Sequence, residues 1–197
     1  CIMMLPTIDR RLKIFSVYRC SCTKVAVENQ GVDSKRYTLI PRVLVFAVNE
    51  LGKVLLLQGA PDKKIWPNKW NGIGGHVEQG ESVLQAAHRE LLEESGLSAK
   101  HMQYCGQVVV DTGSKPGIIF FVFKAKLLEG TQRESAEGQL GWFRQKEALK
   151  LDLVEDLYTL IPIVMRQRPS AKPFWGLYSY DEWGQLRMSF STGLTSV

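Results

Sequence analysis

The amino-acid sequence predicts a mixed α/β (α+β) domain, on three observations. Apolar runs of strand length, bounded by turn residues, recur along the chain. One segment, Ser82 to Glu94, instead repeats Val83, Ala86, Ala87, Leu91 and Leu92 at three/four spacing, which is helical. A second helical pattern covers Val154 to Arg166, mildly interrupted by Pro162. At 197 residues, 45% apolar and 23% charged, the chain has room for one domain with a real core and some additional length.

The elements follow in order. Residues 1–41 have weak periodicity and read as a basic extension, and the domain is expected over 42–191 with a short tail at 192–197. Val43 to Val48 reads as a buried strand, Asn49 to Gly52 as a turn, and Lys53 to Gln58 as the partner strand. Gly59 to Gly75 is rich in Pro, Asn, Lys and Gly and reads as a loop feeding the first helix, which Gly96 stops. Tyr104 to Asp111 and Ile118 to Leu127 are the next strands, separated by Gly113 and Pro116. Gly141 to Arg144 is a short strand and Gln145 to Leu149 a helical turn. Phe174 to Tyr180 and Gln185 to Phe190 form a terminal hairpin around Asp181 to Gly184.

Charge and cysteine usage narrow the class. The net charge of +5 comes from the N-terminal region, where eight Lys/Arg face three Asp/Glu up to Arg42, while the rest of the chain balances at 17 of each. This uneven origin weakens any whole-protein argument for nucleic-acid binding from pI alone. Cys1, Cys20, Cys22 and Cys105 fit neither a disulfide nor a zinc pattern and read as reduced thiols of a cytoplasmic protein. No apolar run reaches membrane-span length. Arg10, Arg11, Lys13 and Arg19 lack an uninterrupted apolar stretch beside them, which argues against a secretory signal and leaves an organellar transit peptide open.

The acidic helix carries the chemistry. Five glutamates, Glu78, Glu81, Glu90, Glu93 and Glu94, fall within seventeen residues. Glu90 and Glu94 are i, i+4 neighbours and Glu93 is at i+3, so like charges crowd one face at roughly a few tenths of a kcal/mol per exposed pair. Glu93 and Glu94 also sit at the helix C-terminus, where the macrodipole disfavours anions. A divalent cation relieves both penalties, and all-oxygen ligands point to a hard ion, Mg²⁺ or Mn²⁺. Arg89 is placed to orient the carboxylates by a charge-assisted fork to Glu81 or Glu90, which makes Glu81 structural. His76 and His88 have no partner at ligand spacing and read as bystanders.

The spacing Gly75-x5-Glu81-x7-Arg89-Glu90-Leu91-x-Glu93-Glu94-x-Gly96-Leu97 matches G-x5-E-x7-R-E-U-x-E-E-x-G-U, with U aliphatic, at every position. On these residues the chain resembles the Nudix hydrolases. The resemblance covers about Arg42 to Phe190. It implies a mixed sheet sandwiched between helices (α/β/α), and Mg²⁺-dependent attack of water on a nucleoside diphosphate linked to another group. It implies metal ligands at Glu90, Glu93, Glu94, the Gly74 carbonyl and Glu137, with Glu90 or Glu137 as general base. Mg²⁺ so held clamps the phosphates and lowers the pKa of a bound water.

A second layer concerns the substrate. Trp70 to Gly75, Glu137 with Trp142 and Phe143, Glu155-Asp156-Leu-Tyr158 and Gly176 to Tyr180 resemble, in this order, the MutT-like oxidised purine nucleoside triphosphate hydrolases that act on 8-oxo-dGTP. By that resemblance Asn71, Glu155 and Asp156 read the purine edge, where an amide and carboxyls match its donors and acceptors. Asn71 also suits a turn before glycine, and Asp156 a helix N-terminus. Lys63, Lys64 and Lys69 either contact phosphates or belong to a solvated loop. One departure stands out: Leu153 occupies the position where the resemblance implies a base-stacking tryptophan. Trp66, Trp175 and Trp183 are alternative platforms or packing residues. The expected partner is a small nucleotide, in a monomer or homodimer without membrane contact. ADP-ribose, a dinucleoside polyphosphate or an RNA 5′ end are the alternative substrates, the basic arm suiting RNA slightly, and a non-catalytic nucleotide sensor is a further alternative.

Overall fold

Val43, Val45 and Ala47 alternate with Leu44 and Phe46, so one strand presents apolar side chains to both sides. This double burial sets the architecture in the computed structural model, which describes residues 3–5, 17–19, 35–133 and 137–192. The chain divides into two compact units, Cys1–Arg36 and Tyr37–Val197. In the first, β1 (Met3–Leu5) pairs antiparallel with β2 (Val17–Arg19). The rest of the expected basic extension up to residue 34, with Cys20 and Cys22, lies outside the described residues, as do Cys1 and residues 193–197.

The second unit runs β3 (Leu39–Ala47), β4 (Val54–Gly59), β5 (Trp70–Asn71), α1 (Val83–Ser95), β6 (Leu97–Val110), β7 (Gly117–Gly130), β8 (Gly138–Phe143), α2 (Gln145–Ala148), α3 (Leu157–Arg166), β9 (Phe174–Tyr180) and β10 (Leu186–Ser191). Among the described residues these strands form a five-stranded mixed sheet, β10-β9-β6-β7-β3, and a three-stranded antiparallel sheet, β5-β4-β8. Val43, Val45 and Ala47 join Leu55 and Leu57 of β4 and Ala86, Ala87 and Leu91 of α1 in one apolar cluster. Leu44 and Phe46 join Val54, Leu56 and Leu157, Leu160, Ile161 and Val164 of α3 in the other. Helices thus cover sheet from both sides, as expected.

Several boundaries differ from the sequence reading. The expected domain start, Arg42, falls inside β3; Pro41 interrupts the apolar pattern but is tolerated at the end of the pairing with residues 73–77, where only its carbonyl is used, accepting from Val77 N at 3.0 Å. The expected loop Gly59–Gly75 contains β5, and its end runs against β3, with Val45 N donating to Ile73 O at 2.7 Å and Val43 N to Gly75 O at 2.9 Å. Its glycines and asparagines carry no strand signal, so the pairing comes from β3 and β4. β6 begins at Leu97 rather than Tyr104, and a one-residue bulge between Tyr104 and Gly106 turns Val108 and Val110 to the same side as Cys105. That parity break hid the strand's true length. α3 starts at Leu157 rather than Val154 because residues 152–154 are stitched to β5, with Trp70 N donating to Asp152 O at 2.9 Å and Val154 N to Trp70 O at 3.0 Å.

Lys124 is buried on β7, only 2% exposed, and its ammonium donates to the carbonyls of Val164, at 2.7 Å, and Gln167 at the end of α3. A cation there complements the carbonyls of the helix C-terminus and the helix dipole. No helix among the described residues is long and apolar enough to cross a membrane. Lys124→Met removes the ammonium from both carbonyls, leaving Val164 O only the Gln167 N–H at 3.2 Å, and urea titration is expected to show a loss of about 2 kcal/mol in stability at an unchanged denaturant slope.

Candidate active site

α1 is set at both ends by local chemistry. Ser82 Oγ accepts from Gln85 N at 3.3 Å, and Gln85 Oε1 accepts from Ser82 N at 2.8 Å, a capping box. Gly96 ends the helix at φ 72°, a left-handed conformation suited to glycine, and its N–H donates to Leu92 O. Burial of Ala86, Ala87 and Leu91 fixes the helix's rotation, and Glu90 and Glu94 then face the segment Gly72 to Gly75. Glu94 Oε2 accepts from Gly74 N at 3.0 Å. A Cβ on Gly75 would lie 2.4 Å from Glu90 Oε1, so glycine here is what makes room for that carboxylate.

Arg89 does more than the expected contact to Glu81 or Glu90. It grips Glu81 with Nε at 3.2 Å and Nη2 at 2.8 Å, reaches Glu90 at 2.8 Å and Glu93 at 3.0 Å through Nη1, and donates from Nη2 to His76 O at 2.9 Å. Burial pushes the Glu94 carboxyl up to about 7, against the Gly74 amide that lowers it. Burial likewise raises Glu90, with Arg89 opposing. Burial raises Asp156 to about 6, and the neighbouring Glu155 charge adds to this.

A cleft of about 690 Å³ gathers most of the expected residues: Glu90, Glu94, Gly74 and Glu137 together with Asn71, Glu155, Asp156, Lys63 and Lys64. Asn71 is placed by its pairing with Leu57, and its Oδ1 accepts from Gly72 N at 2.8 Å. Lys63 pairs with Glu137 at 2.6 Å. Lys69 pairs with Asp152 at 2.8 Å and lines only a smaller recess beside Trp66 and Asn71. Glu93 does not line the cleft; its side chain is largely exposed on Arg89. Leu153 is 1% exposed and belongs to the core, while Val154 lines the cleft. Of the five tryptophans, Trp66 alone lines it. Arg42, Phe120 and Tyr178 also face the cleft, which the sequence did not reveal because strand neighbours far apart in the chain bring them there.

Among the described residues, no three His, Cys, Asp or Glu side chains converge tightly enough to hold a cation as they stand. The donors still fit a hard dication: Glu90 and Glu94 are enclosed carboxylates beside the Gly74 backbone, Glu90 held by Arg89 and Glu94 by a backbone amide. Glu93 and Glu137 join them only by exchanging their ion pairs with Arg89 and Lys63, and such partly exposed pairs are worth about 0–1 kcal/mol.

A helix presenting enclosed carboxylates, a glycine segment against it and a large adjoining cleft suit a hydrolase of an anionic substrate. The family described as the NUDIX domain matches residues 38–163, and the chain belongs to this family; it is a Nudix hydrolase. It is 31% identical over 150 residues to the oxidized purine nucleoside triphosphate hydrolase of Mus musculus, covering 76% of this chain and 88% of that one. The Danio rerio protein of the same name is 40% identical over 93 residues, covering 47% of this chain and 58% of its own. The crystal structure of the MutT protein from Bacillus halodurans superposes with a TM-score of 0.66 at 26% identity, over 79% of this chain and all of that one. Nudix hydrolases generally use a divalent metal.

Two outcomes are expected. Glu94 has a folded pKa raised above its unfolded value of 4.5, so its contribution to stability is complete below pH 4.5 and is lost as pH rises through about 7. In chelator, urea titrations across that window should show a decline containing about 3 kcal/mol from Glu94, to which Glu90 and Asp156 add with the same sign; Glu94→Gln removes the Glu94 share. Separately, Gly75→Ala displaces the Glu90 carboxylate, and steady-state kinetics should show kcat reduced by roughly 100-fold with little change in Tm.

Proposed function

We propose that this chain is a Mg²⁺-dependent pyrophosphohydrolase of oxidised purine nucleoside triphosphates such as 8-oxo-dGTP, releasing the monophosphate and pyrophosphate. The observation that carries the reading is the single cleft that joins Glu90, Glu94 and Gly74 to Asn71, Glu155 and Asp156. The relatives named as oxidized purine nucleoside triphosphate hydrolases support it.

In this reading Glu90, Glu94, the Gly74 carbonyl and, after release from their cationic partners, Glu93 and Glu137 hold Mg²⁺; Mn²⁺ suits the same donors. The bound ion supplies neutralisation of the polyphosphate charge and a lowered pKa for water. Glu90, anchored by Arg89 through one oxygen, takes the proton of the attacking water, and Glu137 is the alternative base. Arg89 keeps the carboxylates aligned against their mutual repulsion. Lys63 and Lys64 bind phosphate oxygens, Lys63 becoming available when Glu137 turns to the metal.

In the same cleft, the Asn71 amide, oriented by the Gly72 N–H, and the carboxyls of Glu155 and Asp156 read the purine edge. Asp156, with its pKa near 6, supplies an acceptor and, in its protonated fraction, a donor. Trp66, half exposed at the cleft, takes the stacking role for which buried Leu153 is unavailable.

The test is pyrophosphate release with Mg²⁺ across 8-oxo-dGTP, 2-hydroxy-dATP, the ordinary nucleotides, ADP-ribose and a triphosphate-ended RNA. Oxidised purines are expected to exceed their undamaged forms in kcat/KM, Asp156→Asn to narrow that preference by roughly 10-fold or more, and Glu94→Gln to abolish turnover of every substrate. Turnover confined to ADP-ribose or RNA contradicts the purine assignment while keeping the metal site.

A further inference from the structure

Three enclosed side-chain atoms among the described residues, Arg42 Nε, Gln103 Oε1 and Gln167 Oε1, have no hydrogen-bond partner, while the enclosed Tyr178 hydroxyl lies against Asp156. Arg42 and Tyr178 both line the active-site cleft; neither glutamine does. Buried polar groups are nearly always paired, so an enclosed guanidinium N–H without an acceptor, facing a ligand cleft, points to an acceptor that arrives with the ligand.

Strand register explains where Arg42 sits. Arg42 is aligned with Phe120 and Phe120 with Val108, while the adjoining row aligns Ile118 with Val110 and Val110 with Tyr178. Alternation puts Arg42 on the same side as Leu44, and so on the floor of the cleft with Phe120, Val110 and Tyr178. The floor is an apolar strip with a polar group towards each end, Arg42 on β3 and Tyr178 on β9. The Tyr178 end adjoins Asp156, where the base is read.

The Arg42 end adjoins the carboxylates. Arg42 forms a β-bridge with His76, the residue whose carbonyl Arg89 binds, and His76 follows Gly75, against which Glu90 packs. Arg42 therefore stands where the apolar floor meets the catalytic carboxylates. Glu90 nevertheless bonds Arg89, Glu94 bonds Gly74 and Glu137 bonds Lys63, and no described carboxylate pairs with Arg42. A nucleotide lying with its base towards Asp156 and its outer phosphates towards Glu90 and Glu94 brings its first phosphate to this junction.

We propose that Arg42 is a substrate-binding residue whose guanidinium donates to oxygens of the phosphate nearest the nucleoside. A planar fork suits two such oxygens in a way that an ammonium does not. This rests on the nucleotide reading of the cleft and adds a contact that the motif residues do not supply. The monophosphate product keeps this phosphate, whereas the free nucleoside lacks it, and that difference makes the contact measurable apart from the metal and from turnover.

The experiment is calorimetric titration of 8-oxo-dGMP and of 8-oxo-deoxyguanosine into wild type, Arg42→Met and Arg42→Lys in chelator, with Tm recorded for each. The expected result is a Kd for 8-oxo-dGMP raised at least 10-fold by Arg42→Met and incompletely restored by Arg42→Lys, with nucleoside affinity within twofold of wild type. Equal weakening of both ligands, or of neither, overturns the assignment. Should a variant fail to fold, the Arg42 Nε–H resonance of the wild type decides: a shift on adding 8-oxo-dGMP but not the nucleoside supports the contact, and no shift overturns it. A wild type inactive on every nucleotide sinks the reading on which the proposal rests. An active wild type with neutral Arg42 variants sinks the proposal alone.

Discussion

One guanidinium holds the acidic cluster together. Arg89 ties Glu81, at the entrance to α1, to Glu90 and Glu93 on its outer turns and to the carbonyl of His76 on the segment that pairs with β3. Without it, Glu90 and its acidic neighbours would repel one another and the glycine segment would lose a tether to the helix. Because the fork is planar and permanently charged, it fixes the direction of the Glu90 carboxylate as well as offsetting its charge. Glu94, beyond the reach of that cation, takes its alignment from the Gly74 amide instead.

The same segment depends on β3 from the other side. β3 pairs with β7 along its length and with residues 73–77 at its opposite edge, while its side chains enter both apolar clusters. A single strand therefore sets the distance between the acidic helix on one side and the cleft floor on the other. Close approach is achieved by glycine: Gly75 leaves space for Glu90 where any Cβ would collide. The cleft consequently has two chemically different ends, enclosed carboxylates at α1 and an apolar, aromatic floor running to Asp156. A ligand that is anionic at one end and flat and polar-edged at the other matches this division.

The sequence made α1 readable because its signals are local. The three/four apolar spacing marks its body, Gly96 its end, and the glutamate spacing declares one crowded face. β4, β7 and the terminal hairpin were readable for similar reasons, as apolar runs between turn residues. β5 was not readable, since Trp70 and Asn71 are strand only through hydrogen bonds to β4. The bulge in β6 was equally hidden, because an extra residue looks like a break in pattern until the partner strand is known.

The sequence by itself determined the family and the acidic helix with its crowded carboxylates, because those depend on residue identity at short spacing. Only the tertiary structure decided which of the expected residues share a cleft. It placed Glu90, Glu94, Asn71 and Asp156 together, turned Glu93 onto Arg89, sent Leu153 into the core and brought Arg42 beside Phe120 on the cleft floor. These placements follow from pairing and packing between segments as much as about eighty residues apart, and no local pattern encodes such partners.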